Sequence, residues 1–189
     1  MIEFALGIRR RVGDWLNNYS TVGLPDAFCG PLSDKRKVLI ISSAGSAEDK
    51  KGISSAKKTV LQLCPSADVS VLCHCPQNGG QTFISDSREE YFTEKDLSFF
   101  FKIRSQRMLT LLSKKYDMAI ALTQDDDILA NYVARFVVAD LRIGGLGTIL
   151  DRQGLLNFVV KSEHGTGLSA MDDVASSLRM IFGNSQTQQ

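Results

Sequence analysis

The stretch from Tyr116 to Gly144, YDMAIALTQDDDILANYVARFVVADLRIG, constrains the fold more than any other part of the chain. Tyr116 to Leu122 is a short apolar run of the kind found in strands covered on both faces, as parallel strands are. From Ile128 onward the apolar residues fall at Ile128, Leu129, Tyr132, Val133, Phe136 and Val137, one stripe of an α-helix with a period of about 3.6 residues. Leu141 to Ile143 closes the unit as a second strand, and Gly144 reads as its stop. Strand, helix and strand in this order form a βαβ unit, whose two strands run parallel.

The first half repeats the arrangement loosely. Lys37 to Ile41 (KVLII) is a short buried strand, and Ser42 to Ser46 (SSAGS) reads as a small polar turn. Ser46 is placed to N-cap a helix, with Asp49 as the capping-box partner three positions on. Ile53, Ala56, Lys57 by its stem, Val60, Leu61 and Cys64 form the inward stripe of that helix, which Pro65 ends. Asp68 to Cys75 is the second strand. Beyond a loop at Pro76 to Gln81, Thr82 to Ser85 is expected as a short edge strand, and Asp86 to Glu90 as exposed charge. Thr93 and Asp96 mark a helix start leading into Leu97, Phe99, Phe100 and Phe101. Those aromatics imply packing on the sheet or, if exposed, an interaction patch. Ser105 to Ser113 reads as a short helix, Leu155 to Lys161 as a strand, and Leu168 to Phe182 as an amphipathic helix stopped by Gly183.

Strands alternating with helices predict a Rossmann-like, three-layer α/β sandwich with a mostly parallel sheet of about five or six strands. At 189 residues the chain suits one such domain. The expected divisions are an N-terminal amphipathic helix and linker over 1–36, the α/β domain over 37–183, and a disordered tail over 184–189. Apolar residues at 43% and charged residues at 23% are ordinary globular values. A net charge of +1 gives no support to a duplex nucleic acid partner. No apolar run approaches the roughly 20 residues of a membrane span, and no signal peptide opens the chain, so a cytoplasmic address is expected.

Candidate sites follow from the topology. In an open parallel sheet, ligands bind beyond the carboxyl ends of the strands. Ser42, Ser43, Gly45 and Ser46 follow the first strand and could offer backbone N–H groups to a small anionic ligand; the other reading is an ordinary capped turn. Neither a P-loop nor a dinucleotide fingerprint is present. Asp125, Asp126 and Asp127 follow the Tyr116 strand, where they could hold a hard cation or simply favour the helix start. Cys73 and Cys75 fall on one strand face and His74 on the other, so the three do not converge on one metal ion. Cys29, Cys64, Cys73 and Cys75 are expected as reduced thiols, and no metal or cofactor is expected. Without a Gly-x-Ser-x-Gly elbow, hydrolase chemistry lacks a signature. At the N-terminus, Arg9, Arg10, Arg11 and Trp15 form an amphipathic basic helix over residues 1–16. That helix packs on the domain or docks on an acidic protein partner or, less favoured, a membrane surface.

The segments KVLII, ADVSVLCHC, FTEKDLSFFFKI, YDMAIAL, ANYVARFVVADLRIG and NFVVK together resemble a family of small uncharacterised α/β proteins found in Bacteroidetes-type bacteria. That resemblance spans nearly the whole chain and implies the fold without an activity. Pro65, Ala67, Asp68, Val69, Val71 and Leu72, with the KVLII strand and the Tyr116-Asp117 opening, more distantly resemble the N-terminal half of heptosyltransferase-like glycosyltransferases. This second resemblance implies a catalytic acid after strand one, at Asp49 or Glu48, and a partner subunit that supplies the nucleotide-sugar site. The leading expectation is a non-catalytic ligand- or protein-binding module; the transferase-like subunit is the alternative.

Overall fold

The computed structural model describes residues 32–76 and 84–182. The expected basic N-terminal helix with Arg9, Arg10, Arg11 and Trp15, most of the expected linker with Cys29, the expected Gly79-Gly80 loop, Gly183 and the expected tail lie outside those residues. Among the described residues six strands form one sheet: β1 (Lys37–Ser43), β2 (Asp68–His74), β3 (Glu89–Phe92), β4 (Lys115–Leu122), β5 (Val138–Gly145) and β6 (Phe158–Val160). Their spatial order is β3-β2-β1-β4-β5-β6, and every neighbouring pair is parallel. Five α-helices accompany them: α1 (Ala47–Leu63), α2 (Gln106–Leu112), α3 (Ile128–Ala134), α4 (Ile149–Arg152) and α5 (Met171–Phe182). The protein is thus an α/β sandwich of the Rossmann-like type expected.

The layering comes from strand alternation. Val38 and Ile40 of β1 join a cluster with Ile53, Ala56 and Val60 of α1 and with Met171, Val174, Ala175 and Leu178 of α5. Leu39 and Ile41 point the other way, into a cluster with Met108, Leu111 and Leu112 of α2 and Tyr132, Val133 and Ala134 of α3. Both faces of the central strands are therefore covered, which is why their sequences are apolar runs and not alternations. Leu32 belongs to the first cluster, and its carbonyl accepts from Cys64 Sγ, so packing contacts begin inside the segment read as linker. No helix among the described residues is long and apolar enough to cross a membrane.

Several local expectations are corrected. Ser42 and Ser43 belong to β1 and not to a turn, because their register with Cys73 and His74 of β2 continues the ladder. Residues 84–86 are not strand, and the edge strand is β3, opened by Glu89 and Glu90. Glu90 is 6% exposed, not surface charge: its Oε1 accepts from Ser105 Oγ at 3.1 Å, while Glu89 faces the opposite side and pairs with Lys57. Thr93 and Asp96 do form a capping box, but on a single 3₁₀ turn, Glu94–Asp96. An antiparallel bridge between Leu97 and Ile103 then reverses the chain, and Phe101 takes φ 59°, a left-handed conformation that side chains avoid. This turn buries Phe101 against Tyr132 and leaves Phe99 and Phe100 exposed. Gly144 does not stop β5, which runs to Gly145; a Cβ on Gly144 would lie 2.7 Å from Leu156 Cδ1, so the glycine admits close packing.

Candidate functional site

The chain builds β1, β2 and β3 in one direction, then returns to the other side of β1 for β4, β5 and β6. The carboxyl ends of β1 and β4 are therefore the point where the winding reverses, and loops there part to leave a crevice. A cleft of 490 Å³ occupies that position, lined from the β1 end by Ser43, Ala44, Gly45, Ser46 and Asp49. His74, Pro76 and Glu94 close one side of it, and Gln124, Asp126, Asp127, Ile128 and Leu129 close the other.

The β1 wall is a finished helix start. Asp49 Oδ2 accepts from the backbone N–H of Gly45 at 2.8 Å, that of Ser46 at 2.9 Å and the Ser46 hydroxyl at 2.8 Å. Ser46 Oγ in turn accepts from Asp49 N at 3.2 Å. The N–H groups that a small anionic ligand would use thus already hold the chain's own carboxylate.

The opposite wall is built on Asn131, which is 1% exposed. Its side-chain amide donates to Gln124 O at 2.7 Å and Asp127 O at 2.8 Å, and its oxygen accepts from Thr123 Oγ1 at 2.8 Å. This network fixes the Thr123–Asp127 turn beneath α3. Asp127 then uses its two oxygens differently. Oδ1 caps α3 by accepting from Ala130 N at 2.9 Å, and Oδ2 lies 2.8 Å from Nδ1 of His74 at the end of β2. Burial pushes the Asp127 carboxyl up, but the His74 ring, the Ala130 N–H and the nearby Ser43 hydroxyl outweigh it and hold it below the ordinary carboxylate range.

His74 is 5% exposed, with its ring 5.2 Å from that of Phe92. With Nδ1 directed at Asp127, its Nε2 makes no hydrogen bond among the described residues, and Glu94 Oε1 stands 3.8 Å away. A neutral imidazole donating from Nδ1 to a carboxylate presents a lone pair at Nε2. The side chain that carries this unpartnered nitrogen lines the cleft. Asp49, Glu94, Asp126 and Asp127 line the same space, with neither lysine nor arginine among the described lining residues. A field of that sign favours cations and hydrogen-bond donors over phosphates or carboxylates.

Of the residues expected from sequence, Ser43, Gly45, Ser46 and Asp126 line the cleft. Ser42 does not: β1 continues through it, and alternation turns it to the α1 side beside Cys73. Asp125 also lies outside, accepting from Ile149 N at 3.1 Å and pairing with Arg152 at 3.5 Å. Cys73 and Cys75 are free thiols buried in the α1-side cluster, opposite His74. No set of three or more His, Cys, Asp or Glu residues among those described is arranged to hold a metal ion. The sequence alone does not bring His74, Asp127 and Glu94 together as a group. The signals available were strand parity, which separates His74 from its cysteine neighbours, and Asp127 three residues before Ala130, the N-cap position.

Residues 31–165 match the model of a family of unknown function, DUF6913, a span that covers all six strands and the whole cleft lining. The match takes in well over half of the 189 residues, and the chain belongs to that family. No curated protein matches it.

Proposed function

We propose that this family member is a small-ligand-binding module whose ligand sits in the cleft at the ends of β1, β2 and β4. The observation that carries the reading is His74 Nε2, a buried nitrogen without a hydrogen-bond partner among the described residues, on a side chain that lines the cleft and is tied to Asp127 through Nδ1. An unsatisfied buried polar atom costs about 1–3 kcal/mol. A fold that keeps one at its switch point has a use for it there. A ligand donor would complete the network.

The transferase-like alternative places a catalytic acid at Asp49 or Glu48. Asp49 Oδ2 is committed to three hydrogen bonds within its own turn, and Glu48 is exposed outside the cleft lining. Both observations weigh toward binding. The basic segment with Arg9, Arg10, Arg11 and Trp15 stays a separate proposal, a docking element for a protein partner.

A thermal-shift screen of the purified chain against amines, sugars, nucleosides and dicarboxylates tests the binding reading. A ligand at ~100 times its dissociation constant adds about 2.7 kcal/mol. Gly45 lines the cleft, and a Cβ there meets nothing within 4 Å, so Gly45→Trp adds bulk without an initial clash. Hits should vanish in Gly45→Trp; hits that persist unchanged would place binding elsewhere.

A further inference from the structure

We infer that the cleft takes a ligand bearing a primary or secondary ammonium group, with His74 Nε2 and Glu94 as its acceptors and Asp126 completing the field. The inference rests on the binding reading above and names the class of ligand. Two independent observations meet here. The lining carries carboxylates on both walls, Glu94 on one and Asp126 on the other, without a described cationic side chain to neutralise them. Between them His74, over nine-tenths buried, lines the cleft, with its Nε2 lacking a hydrogen-bond partner among the described residues and Glu94 Oε1 3.8 Å away.

The chemistry selects an ammonium over the other candidates. A carboxylate or phosphate would meet the lone pair of Nε2 and the charges of Glu94 and Asp126, and Asp49 already occupies the Gly45 and Ser46 N–H groups. A neutral hydroxyl could donate to Nε2 but would gain nothing from the surrounding charge. An ammonium offers two or three donors spread about one centre, which suits acceptors arriving from different walls, and its charge-assisted bonds are roughly twice as strong as neutral ones. A divalent metal would need more ligands than the described residues converge. His74 reports occupancy directly, because a new donor at Nε2 changes its environment while Asp127 keeps Nδ1 engaged.

The test is calorimetric titration of the full-length chain with 1,4-diaminobutane, its neutral isostere 1,4-butanediol, succinate and magnesium chloride, alongside ¹⁵N spectra of the histidine rings. Diaminobutane should bind, shift the His74 Nε2 resonance and lose affinity as salt rises. Glu94→Gln and Asp126→Asn, at exposed side chains, should each weaken it about tenfold without altering the melting temperature of the free protein. Tighter binding of butanediol, succinate or magnesium, blocked by Gly45→Trp, overturns the ammonium class and leaves the cleft as the binding site. Diaminobutane binding that Gly45→Trp and Glu94→Gln both leave unchanged, or no binding by any of the four probes, overturns both.

Discussion

At the start of α1, Asp49 folds one oxygen back onto the turn before it, and Ser46 answers with its own hydroxyl, so the carboxylate and hydroxyl of this cap are partnered inside the wall. At the start of α3, Asp127 divides its oxygens between the helix and an imidazole from another strand, and the far nitrogen of that imidazole is left open. The two starts face each other across one cleft and use the same side chain. A capping carboxylate that spends its hydrogen bonds locally finishes a turn; one that reaches across the sheet hands the unsatisfied group to its neighbour. The β1 wall is thus closed to anions, and the β4 wall is open to donors.

That asymmetry predicts an unequal response to mutation. The largest effect is expected at Asn131→Ala, which removes three hydrogen bonds and leaves Thr123 and two backbone carbonyls without them, costing about 3 kcal/mol. Urea unfolding would measure it, and a loss under ~1 kcal/mol would mean that the turn holds its shape without Asn131. Next comes Asp127→Ala, which removes a helix cap and the partner of His74 Nδ1, together worth about 2 kcal/mol. The same variant should abolish ligand-induced stabilisation, since His74 loses the group that orients it.

How much of this was legible divides along the same line. β1, β2 and β4 were visible because strands buried on both faces must be apolar throughout, α1 because its stripe and its Ser46 cap are local, and α5 because its stripe is. Ser43, Gly45, Ser46 and Asp126 could be placed near the strand ends by the topology rule alone. The His74–Asp127 pair could not: its members are 53 residues apart and meet only because β2 and β4 flank β1. Sequence periodicity carries no strand order. β3 was hidden for a related reason, since its glutamates are compensated by Lys57 and Ser105 from helices on opposite faces. Ser42 was misplaced by two residues of strand length, which is enough to fix its face by parity.

Asp49→Ala is the milder counterpart of Asp127→Ala. Loss of the reciprocal cap should cost about 1 kcal/mol. It should also free the Gly45 and Ser46 N–H groups at the start of a 17-residue helix, so inorganic phosphate that fails to stabilise the parent should stabilise the variant. Phosphate stabilising both proteins equally would show that Asp49 does not occupy the anion seat.

The smallest expected effect is in pH, and it too separates the regions. Asp127 is held below its ordinary value of 3.8 in the folded protein, so the stability it contributes is present above that value and is lost as pH falls through the lower folded one. The groups facing it are the His74 ring, the Ala130 N–H and the Ser43 hydroxyl. At the far end of the sheet, His164 on the loop after β6 pairs with Asp173 of α5 at 3.0 Å, and this exposed pair runs the opposite way. Hydrogen bonding to Asp173 raises the His164 value above 6.5, so its contribution is complete below 6.5 and fades as pH rises through the folded value. Being exposed, it should also fade in salt, whereas the contribution of Asp127, whose side chain is 9% exposed, should be screened far less. Stability of the parent relative to Asp127→Asn should therefore be level from pH 5 to pH 7 and narrow only below about pH 4, in low and high salt alike. Relative to Asp173→Asn it should narrow above about pH 6.5 in low salt, and again below about pH 4 as Asp173, held down to about 2 by Ser162 and His164, takes up its proton. A salt-sensitive Asp127 limb would mean that the carboxylate is solvated and not shielded by its contacts to His74 and the start of α3.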